Sequence, residues 1–301
     1  MVKGLAGFVL LLGLSSCTSN FDLALKNAEA GSIDHQLRVS KMYLRGDGVS
    51  PSEGRAFYWA YKAAIRGNAD AQYEVARFYY RNRFYDTTSI DGFAELTAMS
   101  YLSSLWLVKA ANQGHGEAIA LLSEFYLTGT GMPKNPEAAY KLLAQHAPEG
   151  HPAVLYRLGL LYLDGKGVGQ DVAKGLDLLA KASNKGYSPA SSEYCYLIEE
   201  GKFLRFDAKA AFACYLNVAT KDPTLGSNVA GRYAFGHGVG QDSVLAHAWY
   251  LLEMKYSGGD IHPNDAYKFS IVEKRLGLLD KLESRYLVLR WTPGEEIHRI
   301  R

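Results

Sequence analysis

The sequence is short of cysteine, of net charge and of membrane-spanning apolar length. Only 3 of its 301 residues are cysteine, and no CxxC pair occurs, so paired-thiol metal and redox motifs are excluded. The formal charge of +2, from 33 basic and 31 acidic residues, argues against a nucleic-acid binder driven by bulk charge. The apolar stretch GLAGFVLLLG at 4–13 is too short for a resident membrane helix. No H-E-x-x-H and no G-x-S-x-G appears, and the carboxylates stand at no catalytic spacing. The expectation is a protein that is not an enzyme, with no cofactor, no metal and no small-molecule substrate. What remains has an ordinary globular composition, 48% hydrophobic and 21% charged, which excludes disorder. Tyrosine is abundant, at 21 residues, and needs a positional explanation.

Residues 1–16 read as a signal peptide, with Lys3 before the apolar stretch. Leu14-Ser15-Ser16-Cys17 follows and resembles the bacterial lipobox: an aliphatic residue, two small residues, then cysteine. That resemblance implies a diacylglyceryl group on the Cys17 thiol and acylation, such as palmitate, on its freed amine. Two or three chains hold a membrane far better than one. The alternative is a plain signal peptide with a chance cysteine. Thr18 is not the aspartate linked to inner-membrane retention, which points to the outer membrane, with the chain facing the periplasm. Residues 17–29 are then an anchor and linker.

From residue 30 the chain repeats itself. GKGVGQD at 165–171 returns as GHGVGQD at 236–242, 71 residues later. Gly129-Thr130-Gly131 precedes Gly165 by 36 residues, Gly201 stands between the two heptapeptides, and Gly46-Asp47-Gly48 lies 83 before Gly129. Three residues before each turn stands Tyr43, Tyr79, Tyr126, Tyr162, Ile198 or Tyr233. Three before those is a small residue: Ser40, Ala76, Ser123, Gly159, Cys195 or Ala230. After the turn come Ala56, Ser103, Ala139, Gly175, Ala211 and Ala246, each followed three residues on by Trp59, Trp106, Leu142, Leu178, Cys214 or Trp249. Small residues let two helices approach closely, aromatic residues fill the space beside them, and glycine ends each helix. Each hairpin leaves one face bare, so the next must stack on it. The fold expected is all-α: a right-handed α-solenoid of stacked antiparallel helix pairs. Six repeats are predicted, at 30–67, 68–114, 115–150, 151–186, 187–221 and 222–258, with a C-terminal capping helix at 263–291.

Tyr156 to Val168 (YRLGLLYLDGKGV) and Tyr58 to Ala64 (YWAYKAA) resemble the Sel-one-like repeat family, a relative of tetratricopeptide repeats. The resemblance covers roughly 30–258 and departs at Asn82 and at Glu200-Gly201-Lys202, where turn glycines are missing. It implies that the heptapeptides are turns between helices. A phosphate loop would instead follow a strand and carry its own lysine pattern. His115 and His151 share a repeat position, and stacked repeats hold such positions too far apart for one zinc, so both read as surface residues.

The candidate functional residues each carry a structural alternative. Cys195 and Cys214 fall at matching heights on the two helices of repeat five, so a disulfide is expected; both equally suit packing positions as free thiols. The insertion RFYDTTSIDGF at 83–93 makes Phe84 and Tyr85 a docking edge or simply a longer loop. Phe269, Val272, Leu276, Leu279, Leu282, Tyr286 and Leu289 recur at helical spacing, as a cap or as a partner-binding helix. On the first helix of each repeat, a further face holds Leu37, Lys41, Leu44, Tyr73, Arg77, Tyr80, Tyr156 and Tyr196. Of these, Tyr73, Arg77, Tyr156 and Tyr196 form the expected partner-binding surface, since tyrosine and arginine dominate binding hot spots. Packing between repeats is the alternative. The functional expectation is a lipid-anchored, periplasm-facing scaffold for other envelope proteins, in an envelope or exopolysaccharide-secretion assembly. Flagellar motor or envelope assembly, and a glycan-binding module or hydrolase, stand behind it.

Overall fold

The computed structural model describes residues 19–82, 90–259 and 263–299. Cys17, Phe84 and Tyr85 lie outside the described residues. No strand occurs among the described residues. The chain divides into two compact units, one running to Ala118 with Thr130–Pro133 added, the other of Ile119–Gly129 and the residues from Lys134 onward.

The first unit holds α1 (Asn20–Glu29), α2 (Ile33–Arg45), α3 (Glu53–Ala64), α4 (Ala69–Asn82) and α5 (Ile90–Ala111). Helix α6 (Gly116–Thr128) starts in the first unit and continues in the second. The second unit adds α7 (Pro136–His146), α8 (Pro152–Asp164), α9 (Val172–Asn184), α10 (Ser188–Glu200), α11 (Ala208–Lys221), α12 (Gly226–Phe235), α13 (Ser243–Ser257), α14 (Pro263–Arg275) and α15 (Leu278–Arg290). Helices α2 and α3, α4 and α5, α8 and α9, α10 and α11, and α12 and α13 pack as consecutive hairpins, and α6 meets the start of α7 where Asn135 N donates to Tyr126 O at 2.7 Å. The small residues sit where their helices meet. Ser40 Oγ donates to the Ala56 carbonyl at 2.7 Å, and Ser103 Oγ donates to that of Ala76 at 2.9 Å. In repeat four both small residues are glycine, and a Cβ on Gly159 would stand 3.0 Å from the Gly175 carbonyl oxygen.

Four positions of the repeated heptapeptide have defined roles. Gly165 and Gly236 are left-handed (φ 67° and 75°) and end α8 and α12, donating to Leu161 O and Arg232 O. Gln170 and Gln241 reach back to the Leu163 and Ala234 carbonyls, at 2.7 and 2.8 Å, covering acceptors that the helix ends leave open. Asp171 and Asp242 start the next helix, each accepting from the backbone N–H three residues on at 3.0 Å. Their own N–H groups return to the carbonyls of Tyr162 and Tyr233, both at 2.9 Å. The second glycine faces another repeat. A Cβ on Gly167 would lie 2.1 Å from Pro136 O at the start of α7, and one on Gly238 would lie 1.9 Å from Ala208 O at the start of α11. Repeat five places Phe203 in this position, at φ 69°.

Two expectations are corrected. Residues 20–29, read as linker, form α1. Ser19 and Asp22 make a capping box, and Phe21, Ala24 and Ala28 are buried against α2, with the Phe21 ring edge-on to Tyr43 at 5.3 Å. The single C-terminal helix is two, α14 and α15, broken where Gly277 is extended and its N–H is taken by Asp280 at 3.1 Å. The apolar spacing that seemed one stripe is therefore split. Val272 is buried and Phe269 packs against the core, while Leu279, Leu282, Tyr286 and Leu289 face outward.

Candidate partner-binding surface

Helix α4 places Tyr73 and Arg77 one turn apart, so the guanidinium lies 5.7 Å from the tyrosine ring centre. Arg77 is also held by Glu74 at 3.3 Å. The Tyr73 ring also meets His115, with ring centres 4.8 Å apart. His115 caps α6 through Nδ1, which accepts from Ala118 N at 3.1 Å, and its Nε2 lies 3.3 Å from Asp70. Burial raises the Tyr73 pKa, against the opposing pull of Arg77, so the phenol stays a neutral donor. Tyr73 thus ties one repeat to the next and still offers one edge.

Helix α8 repeats the arrangement in the second unit. Tyr156 packs on Tyr187 with ring centres 5.6 Å apart, and the Arg157 guanidinium stands 5.7 Å from its ring. Arg157 is engaged by Glu124 at 2.5 Å. Burial, then Glu193, raises the Tyr156 pKa. Tyr196, on α10, is exposed. The structure thus pairs Tyr73 with Arg77 in one unit and places Tyr156 and Tyr196 in the other, with different burdens. Tyr73, Arg77 and Tyr156 are half-buried, and Tyr196 is open. His115 and His151, both expected at the surface, are half-buried, and His151 caps α8, accepting from Ala153 N at 3.3 Å.

Sequence reasoning missed a second surface, on the other layer of the first unit. Tyr58, Tyr61 and Ile65 of α3 and Tyr101 and Leu105 of α5 are all exposed. Tyr61 touches Trp106 with ring centres 5.8 Å apart, which connects the two helices. Lys62 lies 4.9 Å from the Tyr58 ring and Lys109 lies 4.4 Å from that of Trp106. The signal was available, since Tyr58 and Leu105 share one register position, just before each buried tryptophan. Cys195 and Cys214 are joined, with sulfurs 2.09 Å and Cα atoms 5.5 Å apart, linking α10 to α11. Among the described residues no cluster of histidine, cysteine and carboxylate could hold a metal ion, and no helix is long and apolar enough to cross a membrane.

The model of the Sel1 repeat family matches residues 36–68, 105–115, 116–147, 152–187 and 227–252. The unmatched stretches include α4 and the whole α10–α11 hairpin, where the turn glycines depart from the pattern, yet the helix pairs still form. A Sel1 repeat protein from Oxalobacter formigenes is 26% identical over 86% of this chain and 68% of its own, with a TM-score of 0.56. An immunity protein from Pseudomonas aeruginosa is 20% identical over 79% of this chain and 87% of its own, with a TM-score of 0.53, a likeness of fold alone. No curated protein matches the sequence. Sel1-repeat proteins generally mediate protein–protein interactions, and such scaffolds are typically non-catalytic.

Proposed function

We propose that the chain, a Sel1-repeat protein, is a lipid-anchored scaffold that gathers envelope proteins on the periplasmic side of the outer membrane. The anchor is argued from Leu14-Ser15-Ser16-Cys17 and the apolar stretch before it. The observation that carries the binding role is the recurrence of tyrosine beside arginine on the first helix of repeats two and four, Tyr73 with Arg77 and Tyr156 with Arg157. Such pairs present a flat ring and fixed donors at low entropic cost, the chemistry of a protein-binding hot spot. An assembly for exopolysaccharide secretion is the setting that suits an anchored, non-catalytic repeat array in this compartment.

The test is recovery of partners from solubilised envelope by the purified chain, compared with a variant carrying Tyr73→Ala, Arg77→Ala, Tyr156→Ala and Tyr196→Ala. The variant must first show folded circular dichroism, because Tyr73 and Tyr156 also pack between repeats. Loss of the wild-type partners is expected. A folded variant that recovers them in full moves the binding surface to Tyr58, Tyr61 and Tyr101.

A further inference from the structure

Helix α15 has two apolar faces. Its inner face buries Ser284, Leu287 and Val288, continued by Trp291, against the core of the second unit. Its outer face carries Leu278 at 76%, Leu279 at 80%, Leu282 at 52%, Tyr286 at 44% and Leu289 at 80% exposure. Their spacing is helical, and the stripe runs about 16 Å along the axis. The end element of a repeat stack normally turns a polar face outward to stay soluble. Here the outward face is leucine.

The tail after α15 does not cover it. Trp291 Nε1 donates to Glu295 O at 2.7 Å, Gly294 N donates to Thr220 O at 2.8 Å, and Ile297 is buried. Arg299 holds Glu283 at 2.7 Å and lies 3.7 Å from Asp242. The tail is fixed to one side and the leucines remain open.

Charge decides the occupant. Lys281 and Arg285 border one side of the stripe. The carboxylates of α15 are engaged elsewhere, Asp280 by its own helix start and Glu283 by Arg299. The opposite side is mixed, with Arg290 laid over Tyr286 at 5.6 Å near Glu295 and Glu296 of the tail. A second copy fits poorly, because antiparallel pairing of identical helices sets each flank beside its own counterpart, here lysine and arginine against lysine and arginine. A flat anionic bilayer is best met by cations on both flanks of an amphipathic helix, and α15 has them cleanly on one.

We propose that the outer face of α15 docks an amphipathic helix of a partner protein, with leucine-like residues on its seam and carboxylates along the flank that meets Lys281 and Arg285. The docked helix supplies the layer that a further repeat would have supplied. This rests only on the protein-binding character of Sel1 repeats, and it is independent of the anchor and of Tyr73 and Arg77.

The test uses the full chain and a fluorescent helical peptide with leucines at i, i+4, i+7 and i+11 and glutamates along one flank. A second peptide carries lysines in place of the glutamates. Binding of the acidic peptide at least about tenfold tighter than of the basic one is expected, weakening with salt. Leu282→Asp with Leu289→Asp is expected to abolish binding without lowering the melting temperature, because both side chains point to solvent. Lys281→Glu with Arg285→Glu should invert the peptide preference. Absence of peptide binding overturns the proposal, as does equal binding of the two peptides. It is also overturned if the stripe instead mediates dimerisation in sedimentation, or if it binds phosphatidylglycerol vesicles and neither peptide.

Discussion

Gly167 answers to two requirements at once. Its φ of 71° is costly for any other residue, and a Cβ there would stand 2.1 Å from Pro136 O. Gly169, two residues on in the same loop, has open space around its Cβ direction and no positive φ. Gly167→Ala is therefore expected to lower unfolding free energy by more than about 1 kcal/mol, while Gly169→Ala stays within about 0.5 kcal/mol of wild type. Urea titration of both variants checks the contrast, and equal losses would contradict the docking role of the second glycine. The glycines were legible in the sequence because they recur at fixed steps. Gln170 and Asp171 recur just as plainly, and a cap residue before a helix is a recognisable signal. The role of Gln170 was not legible, because its acceptor, the Leu163 carbonyl, lies seven residues back and is brought within reach only by the folded turn. Which glycine served the turn and which served the neighbouring repeat depends on distances that a sequence does not contain.

Helices divide into those announced by period and those announced only by their ends. The hairpins follow from recurring small and aromatic residues, and the structure buries those small positions throughout. Helix α1 stands before the repeats and shares none of their register, so only its capping box and the spacing of Phe21, Ala24 and Ala28 could have revealed it. Within repeat five the Cys195–Cys214 link joins α10 to α11, across a separation of 19 residues. A loop of that size makes the link worth about 3 kcal/mol, so reduction should lower the midpoint of denaturant unfolding. In a Cys17→Ala background, denatured but unreduced protein should take up no alkylating reagent. Two alkylated thiols by intact mass would refute the link. The last three helices converge on His247. Its Nδ1 is 2.8 Å from Ser284 Oγ of α15, its ring stacks on Phe269 of α14 at 5.3 Å, and Nε2 faces Glu273 at 3.8 Å. Burial holds the His247 pKa below its usual value; Glu273 pulls the other way, and Lys281 and Arg285 add to the lowering. The unfolded chain takes up this proton near pH 6.5 and the folded chain only at lower pH. Stability from this group is thus present above pH 6.5, is lost as pH falls below it, and levels off under the folded value. Unfolding free energies at pH 8 and pH 5 should differ less in His247→Phe than in wild type. An unchanged difference would show that His247 does not couple the three helices to pH.

For the molecule as a whole, the proposed attachment is an N-terminal lipid at Cys17, and no helix among the described residues is long and apolar enough to cross a membrane. Cys17→Ala should therefore move the chain from the membrane fraction to the soluble fraction on cell fractionation, without changing the melting temperature of the purified protein. Retention of the variant in membranes would point to another means of attachment. The proposed leader and lipobox rest on the local rules that targeting segments obey, whereas a surface that meets a partner depends on which apolar residues the fold leaves uncovered. Leu279 and Phe269 looked alike in the sequence, and only the break at Gly277 separates one as surface from the other as core. The second glycine of the repeat turn has a further consequence. Gly167 rests on the start of α7 and Gly238 on the start of α11, so these two turns close on the hairpin before them. During synthesis, then, the hairpins that carry these glycines leave the ribosome after the surface they dock on, and assembly within a unit can advance in step with elongation. A chain stalled midway would still hold finished hairpins behind the growing end.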